Sequence, residues 1–152
     1  MKDPTPLDSA LDALPDNSGT IEIDQAGATT EVDVVDVDRL GVRLKGVRVR
    51  RTRAIDVEHE AATLPDRLRA LPGRVEPVEI DPSLGGARLR TRPDRREYFE
   101  IDVEPDRTDI RRTRIDAEGT RHASDWAMTR DQLDRLLGEA AGPVDGPDED
   151  QE

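Results

Sequence analysis

The chain reads as an α+β protein: a mainly antiparallel, curled sheet of about seven or eight strands, with two or three helices packed on one face. Three observations predict this. Apolar and charged residues alternate with a period of two over most of the length, the period of a half-buried strand. These alternating runs come in groups, separated by stretches with helical spacing and capping residues. Strands in runs with helices between the runs favour an antiparallel sheet covered on one side, with a small curled barrel plugged by helices as the alternative.

The totals bound what such a chain can be. Its 152 residues are one domain's worth. We divide it into an N-terminal segment, 1–19, with a short helix, a single α+β domain, 20–141, and a disordered acidic tail, 143–152. With 34% hydrophobic residues and only Trp126, Tyr98 and Phe99 as aromatics, the core must be built from Val, Leu, Ile and Ala. The absence of cysteine removes disulfides, zinc–thiolate sites and thiol nucleophiles. No apolar run is long enough for a membrane span or a signal peptide, so a cytoplasmic location is expected. A net charge of −12 opposes binding to nucleic acid by phosphate neutralisation. Arginine almost wholly replaces lysine, a bias that suits either a GC-rich genome or a saline cytoplasm and carries no function.

The elements follow in order. Thr5 caps a short helix with Pro6 in its first position, Asp8 at capping-box spacing, and Leu7, Leu11 and Leu14 on one face. Being so short, it either docks on the sheet or frays. Ile21 and Ile23 make a short strand. The clearest pattern is the hairpin from Thr29 to Arg53, turning around Asp38, Arg39 and Gly41, with an acidic first arm and a basic second one. Its alternation slips once in each arm, at Val34-Val35 and around Gly46, which predicts a bulge or strong bend in both. A helix is expected from about 58 to 71, with Thr63 and Asp66 at capping-box spacing and Pro65 as a kink. A meander follows: an acidic strand with Val75, Val78 and Ile80, a turn through 81–86, and a basic strand with Arg88, Arg90 and Arg92. A Pro93-Asp94 turn leads to an acidic strand from Tyr98 to Glu104, and a Pro105-Asp106 turn to a basic one from Thr108 to Ile115. Residues 123–128 add a short strand. Thr129 and Gln132 then cap a helix with Leu133, Leu136, Leu137 and Ala140 on one face, stopped by Gly142-Pro143.

Few residues look like chemistry. The arginine stripe at 43–53 is expected to be neutralised by neighbouring acidic strands. The second stripe, with Arg90 and Arg112, binds an anion only if its two strands lie side by side, and the strand 98–104 is expected to separate them. His59 and His122 lack metal-ligand spacing, and no metal or cofactor is expected. His122, Ser124 and Asp125 have the residue types of a hydrolase triad but sit too close in sequence for its geometry. Ser83-Leu84-Gly85-Gly86 lacks the lysine and following helix of a phosphate loop. Trp126 is either a core plug or a partner anchor. Tyr98 and Phe99 point to opposite faces, so one is core and the other is a surface candidate.

These features lead to a non-enzymatic cytoplasmic domain that works through contact with a protein partner or with itself, by way of its sheet edges. The alternative is a small-molecule or anion-binding domain, conceivably an enzyme, with a pocket between the sheet and the helix at 129–141. Its candidate contacts are Arg90, Arg112, His122 and Trp126.

Overall fold

A computed structural model describes residues 5–25, 27–81, 83, 85–92 and 96–142. The element order is α1 (Pro6–Asp12), a 3₁₀ turn (Pro15–Asn17), β1 (Gly19–Gln25), β2 (Ala28–Val37), β3 (Gly41–Arg51) and α2 (Val57–Arg67), then β4 (Val75–Asp81), β5 (Gly86–Thr91), β6 (Glu97–Glu104), β7 (Arg107–Ile115), β8 (Arg121–Ser124), β9 (Trp126–Thr129) and α3 (Arg130–Ala141). The expected tail 143–152 and the Pro93-Asp94 turn lie outside the described residues, as do Pro82 and Leu84 of the preceding turn. All strand pairs are antiparallel. The sheet runs β1-β2-β3-β7-β6-β5-β4 and is open, with β1 and β4 at its two edges and β8 and β9 attached to β7 and β3.

The two slips in the β2–β3 hairpin set the shape of the sheet. Both are register shifts: Val34 faces Leu44 while Lys45 is passed over, and Asp36 faces Arg43 while Val35 is passed over. Each strand therefore changes parity once, and the apolar side chains stay on one face: Thr30, Val32, Val34 and Val37 on β2, Val42, Leu44, Val47 and Val49 on β3. Lys45 and Gly46 also mark where β3 changes partner. Beyond them Val47–Arg50 pair with β7, whereas before them Gly41–Leu44 pair with β9. A bulge bends its strand and increases its twist, and here it steers β3 away from β7 and opens a fork.

Residues 121–129 fill that fork as a V. The chain enters along the β7 arm, with Ile115 opposite Arg121 and Arg112 opposite Ser124. It reverses at Asp125 and leaves along the β3 arm, with Leu44 opposite Trp126 and Gly41 opposite Thr129. The single strand expected over 123–128 is thus two short ones. The apex is pinned from both arms: Arg43 Nη1 reaches Asp125 Oδ1 at 2.6 Å, and Arg112 Nη1 donates to the Asp125 carbonyl at 2.9 Å and to Ser124 Oγ at 3.1 Å.

All three helices lie on the apolar face and share one core with it. The short helix α1 docks, burying Leu7 and Leu11, with its capping box formed as the spacing predicts. α3 also starts on its predicted box, Thr129 with Gln132, and buries the four predicted residues. The second helix differs from expectation: it runs Val57–Arg67, capped by Asp56 on His59 N–H rather than by Thr63, with Pro65 carried inside. Asp56 wins because its carboxylate sits ahead of the first turn. Pro65 removes only one backbone donor near the C-terminal end, where the helix is about to stop anyway.

One buried ionic cluster ties these layers together. Glu60 on α2 accepts from Arg51 at the end of β3 and from Arg67 one helical stretch later. Arg51 also donates to Thr108 Oγ1 at 2.8 Å and to the Ala140 carbonyl at 3.2 Å, and Arg67 donates to the Glu139 carbonyl at 2.8 Å. The two guanidinium groups thereby close the C-terminal end of α3, where cations interact favourably with the helix dipole.

Among the described residues no helix lies on the opposite face of the sheet, which is a lattice of charge. Arg48 bridges Glu31 and Asp109, Arg88 and Arg111 both hold Asp102, and Arg90 holds Glu100. The acidic strand β6 separates the basic strands β5 and β7.

Candidate functional site

Beside the fork lies a cavity of about 540 Å³, lined by residues from both faces of the sheet. Its walls come from seven places: the α2–β4 connection (Ala70, Pro72, Gly73), the end of β5 (Thr91, with Arg92 just past it), the start of β6 (Glu97–Phe99), β3 (Arg43), β7 (Arg112), the whole of β9 except Thr129, and the first turn of α3 (Gln132). A volume in this range is usual for small-molecule pockets. Its position between sheet and α3 follows from the fork: had β3 and β7 stayed paired, β9 would have no place beneath the helix.

The apolar part of the wall is aromatic. Phe99 and Trp126 meet edge to face, with ring centroids 5.0 Å apart and planes at 86°, an arrangement favoured by the ring quadrupoles. Met128 continues this surface. Trp126 is only 5% exposed, yet its indole N–H finds no acceptor among the described residues. A buried donor left unpaired costs about 1–3 kcal/mol; Thr30 Oγ1 and Arg107 Nε are the other buried side-chain atoms without a hydrogen-bond partner among the described residues.

The polar part is mostly donors. Arg112 is held in place by Glu97 at 2.7 Å, by Ser124 and by the Asp125 carbonyl. Thr91 is buried, and its hydroxyl accepts the Phe99 N–H at 2.9 Å, leaving the O–H to donate. Gln132 accepts the Thr129 N–H through Oε1 at 2.9 Å, which turns its amide NH₂ into the unused end. Arg92 stands at the rim, largely exposed, with Glu76 3.4 Å away.

Of the four residues singled out from sequence, Arg112 and Trp126 meet at this cavity. Arg90 does not. It alternates with the buried Leu89 and Thr91, lies on the charged face, pairs with Glu100 and covers the Tyr98 ring at 5.1 Å. Tyr98 is thus buried outside the main core, beneath Arg90 and Arg121, while Phe99 is the core member of that pair. His122 sits at the far end of the V, its Nε2 2.7 Å from Asp116 Oδ2. That contact, with backbone N–H groups of Thr120 and Glu118, holds the Asp116 carboxyl below the usual range. Ser124 bonds Arg112 and the Asp125 carbonyl rather than His122, so the three residue types do not assemble a triad.

Thr91, Glu97, Phe99 and Gln132 were not marked as site residues by the sequence. Gln132 was visible only as a cap, and Thr91 only as the end of a strand. What makes them neighbours is the fork, and no local pattern encodes it. No family model, curated protein or solved structure matches the chain. Among the described residues no helix is long and apolar enough to cross a membrane.

Proposed function

We propose that this protein is a small-molecule-binding domain whose site is the cavity between β6, β9 and the start of α3. The observation that carries it is a 540 Å³ recess lined by the edge-to-face pair Phe99 and Trp126, by Met128 and by Arg112. Sites of this kind combine an apolar lining with a few placed polar groups. Trp126 is the only tryptophan, so its emission reports the site directly. A fragment library screened by thermal shift and by tryptophan fluorescence should give members that shift both signals saturably. A flat response across the library overturns the proposal.

A second reading, contact with another chain through a sheet edge, is favoured by one difference between the two edges. β4 carries Pro77 and a register shift between Pro77 and Glu79, devices that blunt an edge. β1 has neither: its seven residues pair with β2 in unbroken register, leaving the outer side of the strand available for strand addition. Light scattering of the intact chain would show a mass above the monomer that Glu22→Lys alters. A monomer that captures no partner strand would sink this reading.

A further inference from the structure

We propose that the cavity selects a small organic carboxylate with an aromatic or branched apolar body, an inference that rests on the binding reading above and names its ligand class. The first ground is a census of polar groups. The Gln132 amide NH₂ and the Thr91 hydroxyl are donors with no acceptor among the described residues, the Trp126 Nε1–H lies unpaired just behind the wall, and Arg112 stands beside them, held by Glu97. Among the described residues Glu97 is the one acidic group in the lining, and Arg112 already engages it at 2.7 Å. A wall that offers donors and withholds acceptors fits a ligand whose polar end only accepts, which an ionised carboxylate does.

The second ground is charge. The chain as a whole carries −12, whereas the lining's arginines, Arg43, Arg92 and Arg112, are balanced one for one by Asp125, Glu76 and Glu97. A recess that is locally neutral in an acidic protein spares an anion the repulsion that the rest of the surface exerts. Third, the shape of the donor set separates carboxylate from phosphate. Phosphates are typically held by a fan of backbone N–H groups at a helix N-terminus. The nearest such end, that of α3, is closed by its own capping box, Thr129 Oγ1 taking the Gln132 N–H at 3.0 Å. Single side-chain donors remain, suited to two oxygens rather than three. Phe99, Trp126 and Met128 supply the surface for the apolar body.

The test uses the intact protein and matched probes: phenylacetate, 3-phenylpropanoate and 4-methylpentanoate, each beside its amide and its amine, with phenyl phosphate and acetate as further arms. Trp126 emission is read in titrations at pH 7. The expected result is a saturable change with the carboxylates, binding of the amides weaker by about tenfold, the difference between a charge-assisted and a neutral hydrogen bond, and none with the amines or acetate. Trp126→Phe, checked for fold by circular dichroism, should weaken carboxylate binding by about tenfold in calorimetry, because it keeps an aromatic side chain but removes the N–H donor. Amides or amines binding as well as the acids, or phenyl phosphate binding more tightly, overturns the carboxylate assignment and leaves the cavity a binding site for another class. No response to any probe overturns this inference, and the library screen then decides separately whether the cavity binds at all.

Discussion

Replacing Glu60 by glutamine should be among the most damaging single changes in the protein, and the reason lies in what it leaves behind. The Arg51 side chain is 6% exposed and that of Glu60 11%. Burial already pulls the Arg51 pKa down, with the Glu60 charge acting against it. Glu60→Gln keeps the shape of the side chain but removes the only carboxylate that Arg51 and Arg67 share. Arg67 has an outlet, since its side chain is 21% exposed and it keeps the Glu139 carbonyl. Arg51 has none: it retains Thr108 Oγ1 and the Ala140 carbonyl, but its charge stays in the interior without a counter-ion. Breaking a buried ion pair from one side costs roughly 3–5 kcal/mol. The two hydrogen bonds that survive place the loss near the lower end, about 3 kcal/mol, which in a chain of this size is a melting shift of about 6–12 °C. Urea unfolding followed by Trp126 fluorescence and by circular dichroism would measure it. A loss under about 1 kcal/mol would refute the reasoning, because it would mean the Arg51 charge is solvated. The companion variant, Glu60→Leu with Arg51→Met, should cost less than Glu60→Gln alone, since no uncompensated charge remains.

Other expectations follow from the same geometry. Arg130 joins α3 to α1 through Asp8 and Asp12, both at 3.1 Å, and to the β2–β3 turn through the Asp38 carbonyl at 3.0 Å. Arg130→Ala should cost about 1–2 kcal/mol after allowing for partly exposed partners, and hydrogen exchange should speed up over residues 5–14 before the sheet is affected. Three carboxyls are held below their ordinary pKa: Asp8 chiefly by Arg130, Asp38 by the backbone N–H groups of Gly41 and Leu40, and Asp116 by His122. A depressed folded-state pKa gives stability that is complete above the unfolded value near 4 and is lost as the pH falls through the folded one. Unfolding free energy should therefore hold between pH 7 and 5 and fall below about pH 4, and a rise over that acid range would contradict these assignments. Leu40 is 75% exposed at the hairpin tip. Leu40→Ser should change stability by less than about 0.5 kcal/mol in the same urea assay.

The sequence by itself determined the local grammar of this protein. Period-two alternation placed the strands, Thr5 and Thr129 with their box partners started two of the helices, and the doubled valine at 34–35 and the break at Gly46 marked both bulges. These signals are legible because each depends on residues within a few positions of one another. The alternation of acidic and basic strands also foretold that the arginines would be neutralised, since neighbouring strands in a meander pair with each other. What tertiary structure alone decided is which distant segments fill a gap. Nothing in residues 121–129 announces that they fold into a V with its apex at Asp125; that shape exists because the β3 bulge splays β3 from β7 and leaves room for two short arms. The cap of α2 moved to Asp56 because a carboxylate just ahead of the helix competes better than a threonine inside it. The cavity joins residues as far apart as Arg43 and Gln132. It arises from a misfit between two strands some sixty residues apart, and such long-range geometry is set by packing rather than by any pattern along the chain.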